Sequence, residues 1–139
     1  MKVYLFIFGV SAIVLINVLS GCQEQQPEPV LFKDITLEST VVELVNASLD
    51  FSYNDTSKIT KVEVQYLFHN IAGRTIDDLK ITVEFLDKNG TIVAIGGPKY
   101  IRNLPKDYVE QTIMPANIIS YTGENVYKIH HVKIVAVVD

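Results

Sequence analysis

Two stretches in the middle of the chain alternate between apolar and polar residues. The first, residues 61–69, has apolar side chains at every second position: Val62, Val64, Tyr66 and Phe68. The second, residues 79–85, repeats this with Leu79, Ile81, Val83 and Phe85. Alternation with a period of two residues predicts half-buried strands of an antiparallel sheet. Leu67, on the otherwise polar side of the first stretch, is the exception.

A turn sequence follows the second stretch directly. Asp87-Lys88-Asn89-Gly90 separates residues 79–86 from the apolar run 91–95. Asn-Gly between apolar runs is the strongest short-range signal for a β-hairpin, because both residues accept a positive φ. The pattern therefore predicts that residues 91–95 fold back on the strand before them.

Further short apolar runs predict the remaining strands. They cover residues 35–44, 47–53, 109–114 and 126–138, and a short segment over 99–102 follows Gly96-Gly97-Pro98. The alternation of the last run slips by one residue at His130-His131, which indicates a β-bulge or a break between two strands. Helical periodicity is not sustained in any stretch, and Pro or Gly interrupts most gaps. We expect an all-β fold: an antiparallel, immunoglobulin-like β-sandwich of about seven strands, with a small barrel as the alternative.

The first 22 residues differ from the rest. Lys2 is followed by a mainly apolar run from Val3 to Leu19, which is short for a membrane-spanning helix and typical of a secretory leader. The leader ends in Leu19, Ser20, Gly21 and Cys22, which resembles the bacterial lipobox. That resemblance implies cleavage before Cys22 and acylation of its thiol and new N-terminus. An uncleaved N-terminal anchor is the alternative.

The leader divides the chain into three parts. We expect a lipoprotein signal peptide over residues 1–21, a lipidated Cys22 with a polar, proline-containing tether up to residue 30, and a β-sandwich domain over 31–139. Gln23 stands where the sorting rule of Gram-negative bacteria would require Asp for retention in the inner membrane. The resemblance therefore favours the outer membrane, facing the periplasm.

Charge and cysteine content narrow the classes of function. The chain of 139 residues allows one domain and has a net charge of -4, becoming more acidic once Lys2 is removed with the leader. An acidic chain is not typical of nucleic-acid binding, which selects clustered Lys and Arg. One cysteine excludes an internal disulfide and any site made of several cysteines. We expect no cofactor.

The central strands also resemble a known class of domain. Tyr66-Leu67-Phe68-His69-Asn70 with Gly73, then Val83-Glu84-Phe85-Leu86-Asp87, Asn89-Gly90 and Leu104-Pro105, resemble the FxLYD-type immunoglobulin-like domains of small bacterial lipoproteins. Of the segment for which these domains are named, Asp87 and the apolar alternation match. The resemblance implies a β-sandwich and brings no catalytic residues with it.

Candidate chemistry is sparse. Metal binding would have to use His130, His131 and His69, but neighbouring residues of a regular strand point to opposite faces. Four tyrosines after the central hairpin could form a contact surface or cap the core: Tyr100, Tyr108, Tyr121 and Tyr127. Neither a nucleophile motif nor a phosphate-binding loop is present in the sequence.

These observations predict a non-catalytic interaction or scaffold module, anchored by lipid in the bacterial cell envelope and partnered by another envelope protein. The alternative is an envelope protein that binds a metal ion or a small ligand. A hydrolase acting on an envelope polymer is a third hypothesis, without a motif to support it.

Overall fold

The computed structural model describes residues 32–139. These residues form seven strands, which we number β1 to β7: Ile35–Glu38, Val42–Tyr53, Ile59–Asn70, Ile76–Leu86, Ile92–Leu104, Ile118–Tyr121 and His131–Val138. Two single 3₁₀ turns, Pro115–Asn117 and Val126–Lys128, flank β6. The leader, Cys22 and the tether lie outside the described residues. No helix within 32–139 is long and apolar enough to cross a membrane.

The strands are arranged in two sheets. One has four strands in the order β1-β7-β4-β5, and the other has three in the order β2-β3-β6. Consecutive strands change sheets four times: between β1 and β2, β3 and β4, β5 and β6, and β6 and β7. β3 pairs with β6, and β4 pairs with β7, so the β3–β4 and β6–β7 connections cross each other between the sheets. These crossed connections interlock the two layers. The predicted all-β sandwich of about seven strands is confirmed, although one pairing, β1 with β7, is parallel.

The predicted hairpin is confirmed. β4 and β5 pair antiparallel on either side of Asp87–Thr91. The carbonyl of Asp87 accepts the N–H of Gly90, whose φ of 80° is in the left-handed region. The side chain of Asp87 accepts the N–H groups of Asn89 and Thr91 at 2.8 and 3.0 Å. The turn is therefore held by one side chain as well as by its backbone.

Two strands are longer than the sequence pattern predicts. β2 runs through the expected gap near residue 45, because Val45 lies at a shift in the pairing register and is accommodated as an irregularity. β5 likewise continues through Gly96-Gly97-Pro98, where the register shifts again. The real break comes earlier, at residues 39–41 between β1 and β2. Residues that the sequence predicts as turns thus remain within the strands, because a shift in the pairing register accommodates them.

The strand predicted over residues 109–114 is wrong. Val109 forms an isolated bridge with His69, and the N–H of Glu110 donates to the carbonyl of Phe68 at 2.9 Å. The returning bond is taken by the carboxylate of Glu110 and not by its backbone carbonyl, since Oε2 accepts the N–H of Phe68 at 2.9 Å. The ladder stops there. On this side of β3, opposite β2, the paired strand is instead β6, which the sequence pattern did not indicate.

The last predicted run, residues 126–138, forms a strand only in its second part. Its first residues form the 3₁₀ turn Val126–Lys128, and β7 begins at His131. The N–H of His130 donates to the carbonyl of Leu86 at 2.8 Å, just before regular pairing starts. The phase slip therefore marks the start of β7, and neither the predicted bulge nor a break between two strands is found there.

The core lies between the two sheets. The inward side chains predicted for β3 and β4 are all buried: Val62, Val64, Tyr66, Phe68, Leu79, Ile81, Val83 and Phe85. Tyr66 packs on Phe68 with ring centroids 5.1 Å apart, and Phe85 packs on Tyr121 at 5.9 Å. Leu67, the exception in the alternation, is buried outside this central cluster. β3 is therefore covered on part of both faces.

Candidate interaction surfaces

The two ends of the sandwich are distinct in composition. We call the end where β1 and β7 begin and β4 ends the proximal end, because the described chain starts there at Phe32. It also carries the β2–β3 turn (54–58), the β4–β5 turn (87–91) and the segment 122–130. The opposite, distal end carries the turn 71–75, the loop 105–109 and the last residue, Asp139.

The structure does not bring the three histidines together. His69 lies on β3 near the distal end, where its Nδ1 is 2.7 Å from Oε1 of Glu43. His131 lies at the proximal end, with Nδ1 3.2 Å from Oδ1 of Asp34. The ring centroids of His130 and His131 are 6.5 Å apart. Within 32–139, no group of three or more His, Cys, Asp or Glu side chains is placed to hold a metal ion.

The four candidate tyrosines are also separated. Tyr108 lies in the distal loop and Tyr127 in the proximal 3₁₀ turn. Tyr100 is on β5 and pairs with Lys80 on the outer face of the four-stranded sheet. Tyr121, on β6, is half-buried against the core. They do not form one contact surface, although Tyr100 and Tyr127 each belong to a different exposed region.

The first of these regions is the outer side of β5. Within the described residues, β5 pairs only with β4, so its other edge has no strand partner. Ile95 pairs with Glu84 and Tyr100 pairs with Lys80, both outward-facing positions of β4. Ile92, Ile95 and Tyr100 are all exposed, and Ile95 retains 64% of its accessible surface. We call these three residues the β5 strip. The β5 strip is not visible in the sequence. Simple alternation would place Ile95 and Tyr100 on opposite faces, and only the register shift at Gly96-Gly97-Pro98 brings them to the same face.

The edge of β5 is shaped by its glycines. A Cβ on Gly96 would lie 2.5 Å from Cγ2 of Ile119 and 2.9 Å from the Phe85 ring. Gly97 has a φ of 93°, and a Cβ there would meet the carbonyl oxygen of Ile81 at 2.8 Å. Only glycine therefore allows β5 to approach β6 this closely. Pro98 lacks an N–H and interrupts the edge, a common protection against uncontrolled strand pairing.

The second region is a groove of about 300 Å³ at the proximal end. Its lining combines basic, aromatic and turn residues: Asp87, Lys88, Asn89, Tyr127, Lys128 and His130. Nζ of Lys128 lies 5.7 Å from the ring centroid of Tyr127. The N–H groups of Thr91 and Asn89 hold the pKa of the Asp87 carboxyl below its ordinary value. The groove therefore contains one carboxylate, that of Asp87, which already accepts two hydrogen bonds, beside two lysines and a histidine.

A more apolar depression of about 430 Å³ is found at the same end. Phe32, Ile35, Leu86 and Val132 line it together with Asp34, Thr36 and His131. The adjacent residues His130 and His131 thus line different concavities, the first the groove and the second the depression. The first described residue, Phe32, is itself part of this surface.

A polar cluster beside β3 is the most enclosed set of ionisable side chains in the structure's described part. Oε2 of Glu110 accepts the N–H of Phe68 and Nδ2 of Asn117, each at 2.9 Å. Burial raises the pKa of the Glu110 carboxyl, although both donors act in the opposite direction. Nearby, the hydroxyl of Tyr66 donates to the carbonyl of Ala116 at 2.6 Å, and burial raises its pKa strongly. The bonds from Phe68 and Tyr66 join the loop 110–117 to β3, and the bond from Asn117 to Glu110 closes the loop on itself, so the cluster explains how this loop is held.

The residues that carry the resemblance to FxLYD-type domains are divided between the two ends, with Asp87 and Asn89-Gly90 at the proximal end and Asn70, Gly73 and Leu104-Pro105 at the distal end. Nδ2 of the buried Asn70 lies 3.0 Å from the carbonyl oxygen of Leu104 and 2.9 Å from that of Pro105. It also lies 2.9 Å from the carbonyl oxygen of Arg74, and Oδ1 of Asn70 accepts the N–H of Ala72. These positions therefore have a structural role in this chain, and the family relationship stays a prediction.

Comparison with known proteins gave no match among protein-family models, curated proteins or solved structures.

Proposed function

We propose that the protein is a lipoprotein of the bacterial cell envelope whose β-sandwich is a non-catalytic interaction module for another envelope protein. The observation that carries the proposal is Cys22, the sole cysteine of the chain, at the end of an apolar leader. Nine residues (23–31) separate it from Phe32, where the described domain begins. Acyl chains on Cys22 would hold the domain at a membrane surface without a spanning segment.

Metabolic labelling tests the anchor. In cells supplied with labelled palmitate, Cys22→Ala is expected to abolish labelling and to release the domain from the membrane fraction. Gln25→Ala, in the tether, is the matched control and should be labelled like the parent chain. If the Cys22→Ala chain stays in the membrane with its leader uncut, the leader is an N-terminal anchor and the lipoprotein assignment is wrong.

The β5 strip is the surface that we assign to the protein partner. Ile92, Ile95 and Tyr100 are exposed along an edge strand, where a partner could add main-chain hydrogen bonds and cover apolar side chains at once. Aromatic and aliphatic residues are common in the buried centre of protein interfaces. Beside the strip, Lys133 is paired with Glu84 and Glu38 at 2.8 and 3.4 Å, which provides a polar rim.

Site-specific crosslinking in living cells tests this surface. A photoreactive residue at Tyr100 should yield one discrete crosslinked product, and a second change, Ile95→Glu, should reduce it about tenfold, equivalent to 1.4 kcal/mol. A photoreactive residue at Val45, exposed to 42% on β2 of the other sheet, is the control. Equal products from Tyr100 and Val45, or a product insensitive to Ile95→Glu, would rule out the β5 strip.

The alternative function is the binding of a metal ion or small ligand, and the groove beside His130 is the observation in its favour. Calorimetric titration of the parent chain with zinc or copper tests it, with His130→Ala and the distal His69→Ala as a pair. Heat at micromolar metal that disappears only in His130→Ala would support this alternative. If the parent chain gives no heat with either metal, the metal-binding alternative is ruled out.

A further inference from the structure

The proximal end of the sandwich combines the start of the domain with an amphipathic surface. We propose that this end rests on the lipid bilayer that holds the anchor, with Tyr127 in the headgroup region and Lys88 and Lys128 beside lipid phosphates. The inference depends on the proposed lipid anchor at Cys22. It adds an orientation and a second membrane contact, made by the folded domain itself.

The length of the tether supports this orientation. Ten residue steps join Cys22 to Phe32, so the fully extended chain spans at most about 36 Å. β3 has 12 residues, hence eleven steps, and runs from the proximal to the distal end, so this strand alone spans about 36 Å and the turns extend the sandwich beyond it. The tether would therefore have to be fully extended, at a cost in conformational entropy, to bring the distal end to the bilayer. The proximal end can reach the membrane without this cost, so end-on contact is favoured for the proximal end.

The side chains at the proximal end suit an interface between water and lipid. Tyr127 is 59% exposed, lies in a 3₁₀ turn and lines the groove. A tyrosine ring has an apolar body and a polar tip, and such side chains are enriched at headgroup depth. The depression lined by Phe32, Ile35 and Leu86 lies at the same end and adds apolar surface.

Charge favours this end over the remainder of the domain. Residues 32–139 contain eleven basic and fourteen acidic residues, so the domain as a whole is repelled by anionic lipids. In the groove, Lys88 and Lys128 face one carboxylate, that of Asp87, which already accepts two backbone N–H groups. Lysines close to an anionic surface are attracted to it, and this attraction favours one orientation of a domain that the anchor already holds nearby.

The absence of tryptophan from the chain allows a direct test. Tyr127→Trp at the proximal end, Tyr108→Trp at the distal end and Tyr100→Trp on the sheet face each introduce a single fluorescent reporter. Tyr108 is 48% exposed, close to the exposure of Tyr127, and serves as the matched control. The lipidated chain is reconstituted in vesicles of phosphatidylethanolamine and phosphatidylglycerol that contain a lipid brominated near its headgroup.

We expect quenching by the brominated lipid to be at least about twofold stronger for Tyr127→Trp than for the other two reporters. Lys88→Glu with Lys128→Glu should weaken that quenching, whereas Lys106→Glu at the distal end should not. Vesicle-bound protein with equal, weak quenching at all three positions would overturn the contact and leave the anchor standing. Stronger quenching of Tyr100→Trp would mean side-on contact and also overturn it. Protein that stays in the supernatant would refute the anchor, and this inference with it.

Discussion

The carboxylate of Glu110 accepts the backbone N–H of Phe68 at 2.9 Å, in the position where a carbonyl of a paired strand would accept it. The Glu110 side chain thus takes the place of a backbone carbonyl in the short ladder with β3. It accepts the N–H of Phe68, which has no backbone partner because the ladder stops at this residue. An unpaired buried N–H costs about 1–3 kcal/mol, so this bond is important for the loop that follows.

The pH dependence of stability should reveal this carboxyl. Because burial raises the pKa of Glu110 in the folded state, the native chain binds its proton more readily than the unfolded chain does. Its contribution to the free energy of unfolding is therefore fully present below the ordinary value of 4.5 and is lost as the pH rises through the raised pKa. Glu110→Gln retains a side-chain oxygen that can accept the N–H of Phe68 but does not titrate. The variant should therefore not show this fall in the free energy of unfolding as the pH rises.

Urea unfolding at a series of pH values from 4 to 7 measures the effect. Glu63 and Asp87 have lowered pKa values and produce the opposite trend, so the difference between the parent chain and Glu110→Gln is the quantity to compare. Glu124→Gln, at an exposed position, is the control. Parallel pH profiles for the parent chain and Glu110→Gln would contradict the prediction.

Asn70 should be among the most sensitive polar residues of the domain. Its amide reaches the carbonyl oxygens of Leu104 and Pro105, so it joins the end of β3 to the end of β5. Asn70→Ala should lower the free energy of unfolding by about 1–3 kcal/mol. Asn70→Asp should cost more, because a carboxylate would face these carbonyl oxygens. The exposed Asn125→Asp is the control in denaturant unfolding, and equal losses for the two Asp variants would refute the assignment.

Gly96 is predicted to be required for the contact between β5 and β6. Its added Cβ would collide with Ile119, so Gly96→Ala should destabilise the domain by about 1–3 kcal/mol. Ile119→Ala removes the colliding atom and is destabilising by itself. A double-mutant cycle should give a combined loss smaller than the sum of the two single losses. Strict additivity would show that the close approach is not what requires glycine here.

The proposed lipid anchor at Cys22 provides a prediction for the residue that follows it. If the chain is lipidated and follows the Gram-negative sorting rule, Gln23→Asp should move most of the protein from the outer to the inner membrane fraction. Fractionation on a density gradient measures this, with Gln25→Asp as the control for the added charge. Retention of the Gln23→Asp chain in the outer membrane would show that another feature determines its location.

Much of the fold could be predicted because the information is local. The alternation in residues 61–69 and 79–85 specifies which side chains face the core, and all eight of these apolar residues are buried. Asn89-Gly90 specifies the β4–β5 hairpin through the backbone conformations that its residues allow. The resemblance of residues 19–22 to a lipobox is likewise local, and the labelling experiment tests what it predicts.

The candidate surfaces depended on contacts between distant segments. The sequence predicts a strand over residues 109–114, but the Glu110 carboxylate accepts the N–H of Phe68, and the strand that pairs with β3 opposite β2 is β6. The β5 strip is visible only once the register with β4 is known, because the segment Gly96-Gly97-Pro98 shifts the phase.

The amino-acid pattern alone therefore specified the class of fold, the central hairpin and the inward faces of β3 and β4. Each of these depends on side-chain spacing within a single segment. Strand order, the parallel pairing of β1 with β7 and the position of Tyr127 beside Lys88 became apparent only in the folded domain. They depend on which distant segments bury each other's apolar surface, and the spacing within one segment carries no information about that choice.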